Sequence, residues 1–370
     1  MDSSNPGIEF DANGRCNCCR DAEARKSFEW WPNDEGQSRL KSMIDQLRIS
    51  GVGKPYDAMI GLSGGIDSAY LAHLAVKMWG LRVLAVHVDG GWNSEPAVRN
   101  IESMVRKLDI DLFTHVVEWE EMKDLQLSFM RASVLNQDIP QDHAFFSTLY
   151  RTATKFGMRD FLSGVNFSTE CVVPPGFGFP YSDDVQLRSI HKRFGCSELN
   201  SYPTMRFVEF LWITRVRKQL SVHKPLNYID YDKERAGIEL TRYYDWRDYG
   251  SKHSESRFTK FYQDIYLPRK ANFDKRKLHL SSLIVSGQMS RAEALVELSQ
   301  LNTTENQVRQ DVKFIAKKLG ISQSELEHII SSPLIPHSAY PNQQGLAKAL
   351  LKVRQLARRF FGTHWLNWCA

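Results

Sequence analysis

Ile60-Gly61-Leu62-Ser63-Gly64-Gly65-Ile66-Asp67-Ser68 sits between an apolar run, Ala58 to Leu62, and an amphipathic stretch, Ala69 to Met78. The run predicts a buried strand and the amphipathic stretch a helix. Two adjacent glycines between them let the backbone turn sharply and approach a ligand closely. The hydroxyls of Ser63 and Ser68, the backbone N–H groups and the positive end of the following helix then converge on one anion. The stretch reads as a phosphate cradle. It is not a Walker A loop, which requires G-x-x-x-x-G-K-[ST].

Outward from this turn, strands and helices alternate. The patterning predicts strands at 58–62, 82–88, 112–117 and 160–164, and helices at 37–49, 68–79, 95–108, 122–134 and 143–156. Continuous apolar strands such as Val83-Leu84-Ala85-Val86 suit a parallel sheet covered on both faces. The fold class is therefore α/β, a doubly wound parallel sheet, with a helical C-terminal lobe. Ligands of such sheets bind outside the carboxyl ends of the strands, where the predicted loops 63–68, 89–93 and 164–170 converge. Residues 1–35 read as an irregular cysteine-containing module and 36–185 as the α/β domain. Residues 186–370 read as a helical basic region completing the substrate site, with a capping box at Ser290/Glu293 and an amphipathic basic helix at 346–361.

With 42% hydrophobic and 25% charged residues, the 370-residue chain has the composition of a soluble globular protein. No apolar run reaches the roughly 20 residues of a spanning helix, and no signal-type segment follows the N-terminus. A cytoplasmic protein with no membrane partner is expected. Net charge is +5. Residues 186–280 carry roughly twenty Lys/Arg against about eleven Asp/Glu. This suits an anionic substrate or RNA, and equally a solvated helical surface.

Several side chains suit phosphate chemistry. Asp67 can hold Mg2+, which prefers carboxylate and phosphate oxygens, or orient the loop. Asp89, ending the second strand, can face the metal. In Ser163-Gly164-Val165-Asn166-Phe167-Ser168-Thr169-Glu170, Gly164 permits close approach while Asn166 and Glu170 reach ribose, phosphate or metal. The segment 244–256 is dense in functional groups. Lys252 can neutralise developing phosphate charge, and His253 and Glu255 can move protons. Lys260, Arg269, Lys270, Lys275, Arg276 and Lys277 are further cationic candidates for diphosphate groups, although a charged helix face explains many of them. Cys16, Cys18 and Cys19 cluster, which in a cytosolic chain suggests metal before disulfides.

The pattern at Ser63–Ser68 resembles the PP-loop of ATP pyrophosphatases, which cleave ATP to AMP and pyrophosphate. Together with Pro6-Gly7-Ile8-Glu9-Phe10-Asp11-Ala12-Asn13-Gly14-Arg15-Cys16-Asn17-Cys18-Cys19, Gln141-Asp142-His143-Ala144, Ser163-Gly164-Val165-Asn166, the run 245–255 and Phe273-Asp274-Lys275-Arg276, it resembles the N-acetyl sugar amidotransferases, the WbpG-like family of O-antigen biosynthesis. The resemblance implies that an acetamido group on a UDP-linked N-acetyl sugar is activated by ATP and converted to acetamidino by ammonia. The implied sugar is a 2,3-diacetamido-2,3-dideoxy uronic acid. The implied ammonia source is a partner pair resembling the glutaminase and cyclase subunits of imidazole glycerol phosphate synthase. The resemblance also implies ATP with Mg2+, phosphates held by Ser63, Gly64, Gly65, Asp67 and Ser68, and a structural Zn2+ on two C-x-x-C pairs. Here Cys16 and Cys19 supply one pair. The other would precede Met1, so a longer native form is expected.

Two alternatives stay open. A PP-loop enzyme that thiolates tRNA would use a cysteine such as Cys171 or Cys196 and hold RNA on the basic region, yet no RNA-binding module is evident and no nucleic-acid partner is expected. A non-catalytic ATP-binding scaffold subunit is the other.

Overall fold

Ala58–Gly61 (β1) is buried along three of its four residues, and the rest of the sheet is laid down beside it. The structure, a computed structural model, describes residues 1–4, 7–174, 181–211, 220–250, 254–301, 303–346 and 349. Four further strands follow: Val83–Asp89 (β2), Asp111–Val116 (β3), Asp160–Leu162 (β4) and Ser221–His223 (β5). Their order is β3-β2-β1-β4-β5 and every pairing is parallel. The chain winds outward from β1 through β2 to β3 and then crosses to β4 on the other side. The switch point therefore lies between β1 and β4, where open α/β sheets place their ligands.

Helices cover both faces. In chain order they are α1 (Asn17–Glu29), α2 (Asp34–Ser50), α3 (Ile66–His73), α4 (Glu95–Leu108), α5 (Trp119–Arg131), α6 (Ile139–Lys155), α7 (Phe167–Glu170) and α8 (Asp184–Phe194). Then come α9 (Phe207–Leu211), α10 (Lys233–Tyr244), α11 (Arg257–Phe261), α12 (Leu267–Ala271), α13 (Arg276–Ser286), α14 (Arg291–Ser299), α15 (Glu305–Leu319) and α16 (Gln323–Ser331). Strand alternation sorts the core. Ala58 and Ile60 join Leu40, Leu47, Ile101 and Leu240 on the face of α2, α3, α4 and α10. Met59, between them, packs with Leu149, Tyr150 and Phe161 on the α6 face. A further apolar cluster joins α5 and α6 to α8, α11, α12, α15 and α16, seating the helical lobe beside the sheet.

The predicted strands appear within two residues of their expected ends, and α4 spans the expected 95–108. The predicted helix 68–79 begins earlier, at Ile66, and closes through a single π-turn, Leu74–Met78. The capping box at Ser290 and Glu293 is formed. Two features differ from expectation. Residues 17–29 are helical rather than irregular; this helix buries only Cys18 and Ala22, so it carries no apolar stripe to betray it. β5 lies well beyond the other strands in sequence, at the sheet edge, and its three residues lack an apolar run. The predicted tail helix 346–361 falls almost wholly outside the described residues. No helix among the described residues is long and apolar enough to cross a membrane.

Buried histidines fasten several loops in the neutral form. His143 Nδ1–H donates to the Tyr181 carbonyl at 2.6 Å while Nε2 accepts from the Met205 N–H at 3.1 Å. His87 Nδ1–H donates to the Leu62 carbonyl at 2.9 Å, and Nε2 accepts from Asn93 Nδ2 at 3.0 Å. Burial lowers the pKa of both from the usual 6.5. Both rings favour the folded state when neutral, so their contribution is complete above pH 6.5. It is lost as pH falls toward the lowered values, each ring costing up to about 1.4 kcal/mol per pH unit. We predict that in an NMR titration both rings titrate below the ordinary value of 6.5. Titration of either at the ordinary value would contradict this placement.

Candidate active site

The turn after β1 is shaped by its glycines. Gly64 has φ +84°, and a Cβ there would stand 2.5 Å from the Ala97 carbonyl oxygen, so only glycine fits. The Gly64 carbonyl accepts from Trp246 Nε1 at 3.3 Å and Asn100 Nδ2 at 3.4 Å. Asn100 also exchanges two bonds with the Arg247 backbone, at 2.9 and 2.8 Å. Gly65 is the N-cap of α3 and offers no side-chain cap. The start of α3 carries partial positive charge, which suits an anion.

Within the turn, Ser63 Oγ accepts from Gly65 N at 3.2 Å, and Ser68 Oγ donates to the Gly65 carbonyl at 3.0 Å. The two hydroxyls lie 3.2 Å apart. Tyr249 OH accepts from Ile66 N at 3.2 Å. A Cβ on Gly65 would come within 3.2 Å of both Glu255 Oε1 and Tyr249 OH. Glu255 thus stands directly over the bare backbone of the turn.

Asp67 is held rather than loose. Its Oδ1 accepts from Tyr231 OH at 2.5 Å and from Asn166 Nδ2 at 3.3 Å. Tyr231 is buried, and that burial together with the Asp67 charge drives its phenol pKa far upward, so it remains a donor. Asn166 caps α7 by accepting from Thr169 N at 3.0 Å, and its neighbour Gly164 lies against the first turn of α3. A Cβ on Gly164 would stand 3.1 Å from both Asp67 C and Ser68 N. The loops after β1 and β4 therefore meet backbone to backbone, as their predicted convergence requires.

The loop after β2 reaches the same cleft by another route. His87 ties it to Leu62, as above, while an antiparallel bridge between Asn93 and Ser256 joins it to the helical lobe. Ser94 N donates to the Glu255 carbonyl and Arg257 N to the Trp92 carbonyl, both at 2.8 Å. Asp89 turns inward on its own loop, its Oδ1 accepting from Gly91 N at 2.7 Å; Val88 and Gly90, rather than Asp89, line the cleft. Lys318 on α15 donates to the Gly91 carbonyl and lies over the Trp92 and Trp119 rings.

The cleft has two adjoining compartments that share Ser63, Phe145 and Glu255. One, of about 190 Å³, runs along the turn past Asp67 and Glu170 and is walled by Phe145, Phe146 and Phe161. The other, of about 380 Å³, has a mixed lining in which His87, Asn93, Asp138, Gln141 and Lys275 stand beside Leu62, Val88, Met122 and Phe145.

Of the sequence-predicted residues, Ser63, Gly65, Asp67, Ser68, Gly164, Glu170 and Glu255 line the aromatic compartment. Gly64 and Asn166 stand behind it as supports. Lys252 and His253 lie outside the described residues. Most of the cationic candidates serve the fold: Lys260 pairs with Asp311, Arg269 with Glu327, Arg276 with Asp274 and Lys277 with Asp2. Lys270 Nζ donates to the Ile329 and Ser332 carbonyls, and burial lowers its pKa to about 8. Only Lys275 of that set lines the cleft.

The residues do not fit a zinc site. Cys16 Sγ caps α1 by accepting from Cys19 N at 3.3 Å. Burial and the neighbouring Cys16 push the Cys19 thiol up to about 12. Among the described residues no three His, Cys, Asp or Glu side chains gather as a metal group.

Two family models match the chain. Residues 39–157 match the NAD synthase family, and residues 255–354 match the LPS biosynthesis protein WbpG-like C-terminal domain. A curated relative, the GMP synthase [glutamine-hydrolyzing] of Pyrobaculum aerophilum, is 33% identical over 89 residues, 24% of this chain. The chain spans 16% of that relative's length. Among solved structures, the NMN synthetase of Francisella tularensis aligns over 81% of this chain and 98% of its own, at 16% identity and TM-score 0.34. The NH3-dependent NAD synthetase of Campylobacter jejuni aligns over 57% and 85%, at 16% identity and TM-score 0.30. The chain has the doubly wound PP-loop ATP pyrophosphatase fold, followed by a WbpG-like C-terminal domain. The two family matches and the GMP synthase relative support an ATP-using protein of the amidotransferase type.

Gly164→Ala tests the backbone contact beneath the turn. Overpacking of this size costs typically about 1–3 kcal/mol, and it falls on the first turn of α3. We expect a lower melting temperature and weaker ATP binding, read by thermal denaturation and ligand titration. Unchanged values for both would contradict the contact.

Proposed function

We propose that the protein converts an acetamido group of a UDP-linked N-acetyl sugar to an acetamidino group, using ATP and ammonia, for surface polysaccharide. The favoured sugar is a 2,3-diacetamido-2,3-dideoxy uronic acid. One observation carries the reading. The uncapped glycine turn lies within the NAD synthase match, the carboxylate over it is Glu255, and the WbpG-like match begins at Glu255. Both stretches build one cleft.

The residues fit a triphosphate. The Ser63–Ser68 turn gives hydroxyls and backbone donors, and a Cβ on Gly65 would crowd Ser63 Oγ, Glu255 Oε1 and Tyr249 OH at 3.1–3.2 Å. Mg2+, held by Asp67 and phosphate oxygens, neutralises phosphate charge when bound. Tyr231 and Asn166 fix the Asp67 carboxylate, so its orientation is set before ligand arrives. The acetamido oxygen attacks the α-phosphorus, pyrophosphate leaves, and the adenylated carbon becomes electrophilic. Ammonia adds to that carbon, AMP leaves with the former amide oxygen, and a proton is lost to give the amidine. Glu255, beside the turn and lining both compartments, is placed to take that proton. Lys252 is our proposed partner for the departing pyrophosphate. A glutaminase–cyclase pair is the proposed ammonia source, in keeping with glutamine hydrolysis in the name of the GMP synthase relative.

The tRNA-thiolating alternative draws less support. Cys171 is 3% exposed, and burial raises its thiol to about 11, the opposite of an activated sulfur nucleophile.

Incubation with Mg-ATP, an ammonium salt and UDP-linked 2,3-diacetamido uronic acid should yield AMP, pyrophosphate and a nucleotide sugar in which one amide oxygen has become NH. Asp67→Ala should lower pyrophosphate release by roughly a hundredfold or more and leave the fold intact by circular dichroism. Wild-type release from that variant would overturn the role given to the turn.

A further inference from the structure

The two compartments differ in chemistry, and the difference divides the substrates between them. The one along the phosphate turn is walled by Phe145, Phe146 and Phe161, with Tyr181 stacked on Phe146 at 3.9 Å between ring centroids. Flat aromatic walls suit a purine base. The larger compartment, of about 380 Å³, has among its lining the carboxyl groups of Asp138, Asp142 and Glu255, the amides of Asn93, Gln141 and Gln263, the hydroxyls of Ser63, Ser256 and Thr259, and the cation Lys275. Its polar groups are mixed donors and acceptors, with no concentration of positive charge.

Two of these groups leave hydrogen-bonding capacity unused. Gln263 is 8% exposed, and its buried Nε2 has no partner in the protein. Gln141 accepts from Ser256 Oγ at 3.0 Å through Oε1, while its own Nε2 is also buried without a partner. Neither Nε2 has accessible surface in the cavity, so each meets a ligand by a turn of its side chain. A buried amide N–H left unpaired costs about 1–3 kcal/mol, which favours that turn toward a ligand that supplies acceptors. Hydroxyl groups and amide carbonyls do so. The nearby carboxyl groups complement them by accepting from sugar hydroxyls. Burial and the adjacent Asp138 raise the Asp142 carboxyl well above the usual range, which suits neutral polar groups better than phosphate.

From this we infer that the compartment formed by Asp138, Gln141, Asp142, Thr259, Gln263 and Lys275 binds the sugar ring, with Gln141 and Gln263 donating to its hydroxyl or acetamido oxygens. Ser63 and Glu255, shared by both compartments, then mark where the acetamido oxygen meets the α-phosphate. The assignment rests on the proposed reaction for its choice of sugar and locates that sugar within the cleft.

The test is equilibrium binding by calorimetry to the full chain, using a non-hydrolysable ATP analogue and, separately, the UDP-linked 2,3-diacetamido uronic acid. Gln263→Met keeps the side-chain volume and removes the amide; Asp142→Asn keeps the shape and removes the acid. Each is expected to weaken the sugar nucleotide about tenfold and to leave the ATP analogue within twofold, which also reports an intact fold. Wild-type sugar-nucleotide affinity in both variants would overturn the assignment. So would failure of the wild-type protein to bind the sugar nucleotide at all. Whether the protein turns ATP into AMP is measured independently, so loss of this subsite and loss of the proposed reaction are told apart.

Discussion

The site depends on the position of one carbonyl. Gly64 passes beneath Ala97 too closely for any Cβ, and its oxygen is caught by Trp246 and Asn100. This contact fixes the turn that leads into α3, whose N-cap, Gly65, has no side chain to cap it; Tyr249 OH accepts from Ile66 N instead. A side-chain cap would occupy one more of the terminal donors. The turn forgoes part of the usual capping stabilisation, about 0.5–2 kcal/mol, and surrounding contacts from α4 and from residues 246–249 hold it in place.

The same turn unites elements far apart in sequence. Gly164 abuts the first turn of α3 from β4, Tyr231 and Tyr249 approach it ahead of and behind α10, and Glu255 comes over it because the Asn93–Ser256 bridge draws the helical lobe onto the β2 loop. The C-terminal lobe is thus part of the cleft. It supplies Thr259, Gln263 and Lys275, while the sheet supplies the phosphate turn and the aromatic walls. Such sharing suits a reaction between two substrates, each recognised by different chemistry and brought together at one edge.

The local parts of this arrangement were legible in the sequence. Ser63–Ser68 announces itself because a tight strand-to-helix turn demands glycine at particular positions, and β1 and β2 announce themselves as apolar runs. Glu255 was found through the density of functional groups around it. The supports were not legible. Tyr231, Trp246, Tyr249 and Asn100 act through contacts with residues between 36 and 183 positions away, and nothing in their local pattern sets them apart. Gln263 lies in the π-turn Tyr262–Tyr266, among cations that drew attention to themselves and then proved to be largely structural. The helix 17–29 escaped notice because it has no apolar stripe, and β5 because three edge residues carry no periodic signal.

The most direct test of the account follows one oxygen atom. The acetamido groups of the sugar nucleotide would be labelled with 18O and the protein supplied with Mg-ATP and ammonia. Attack of the amide oxygen on the α-phosphorus predicts AMP carrying one 18O, formed in step with the amidine and with unlabelled pyrophosphate. Unlabelled AMP, or label in inorganic phosphate accompanied by ADP, would contradict adenylation of the amide at the Ser63–Ser68 turn.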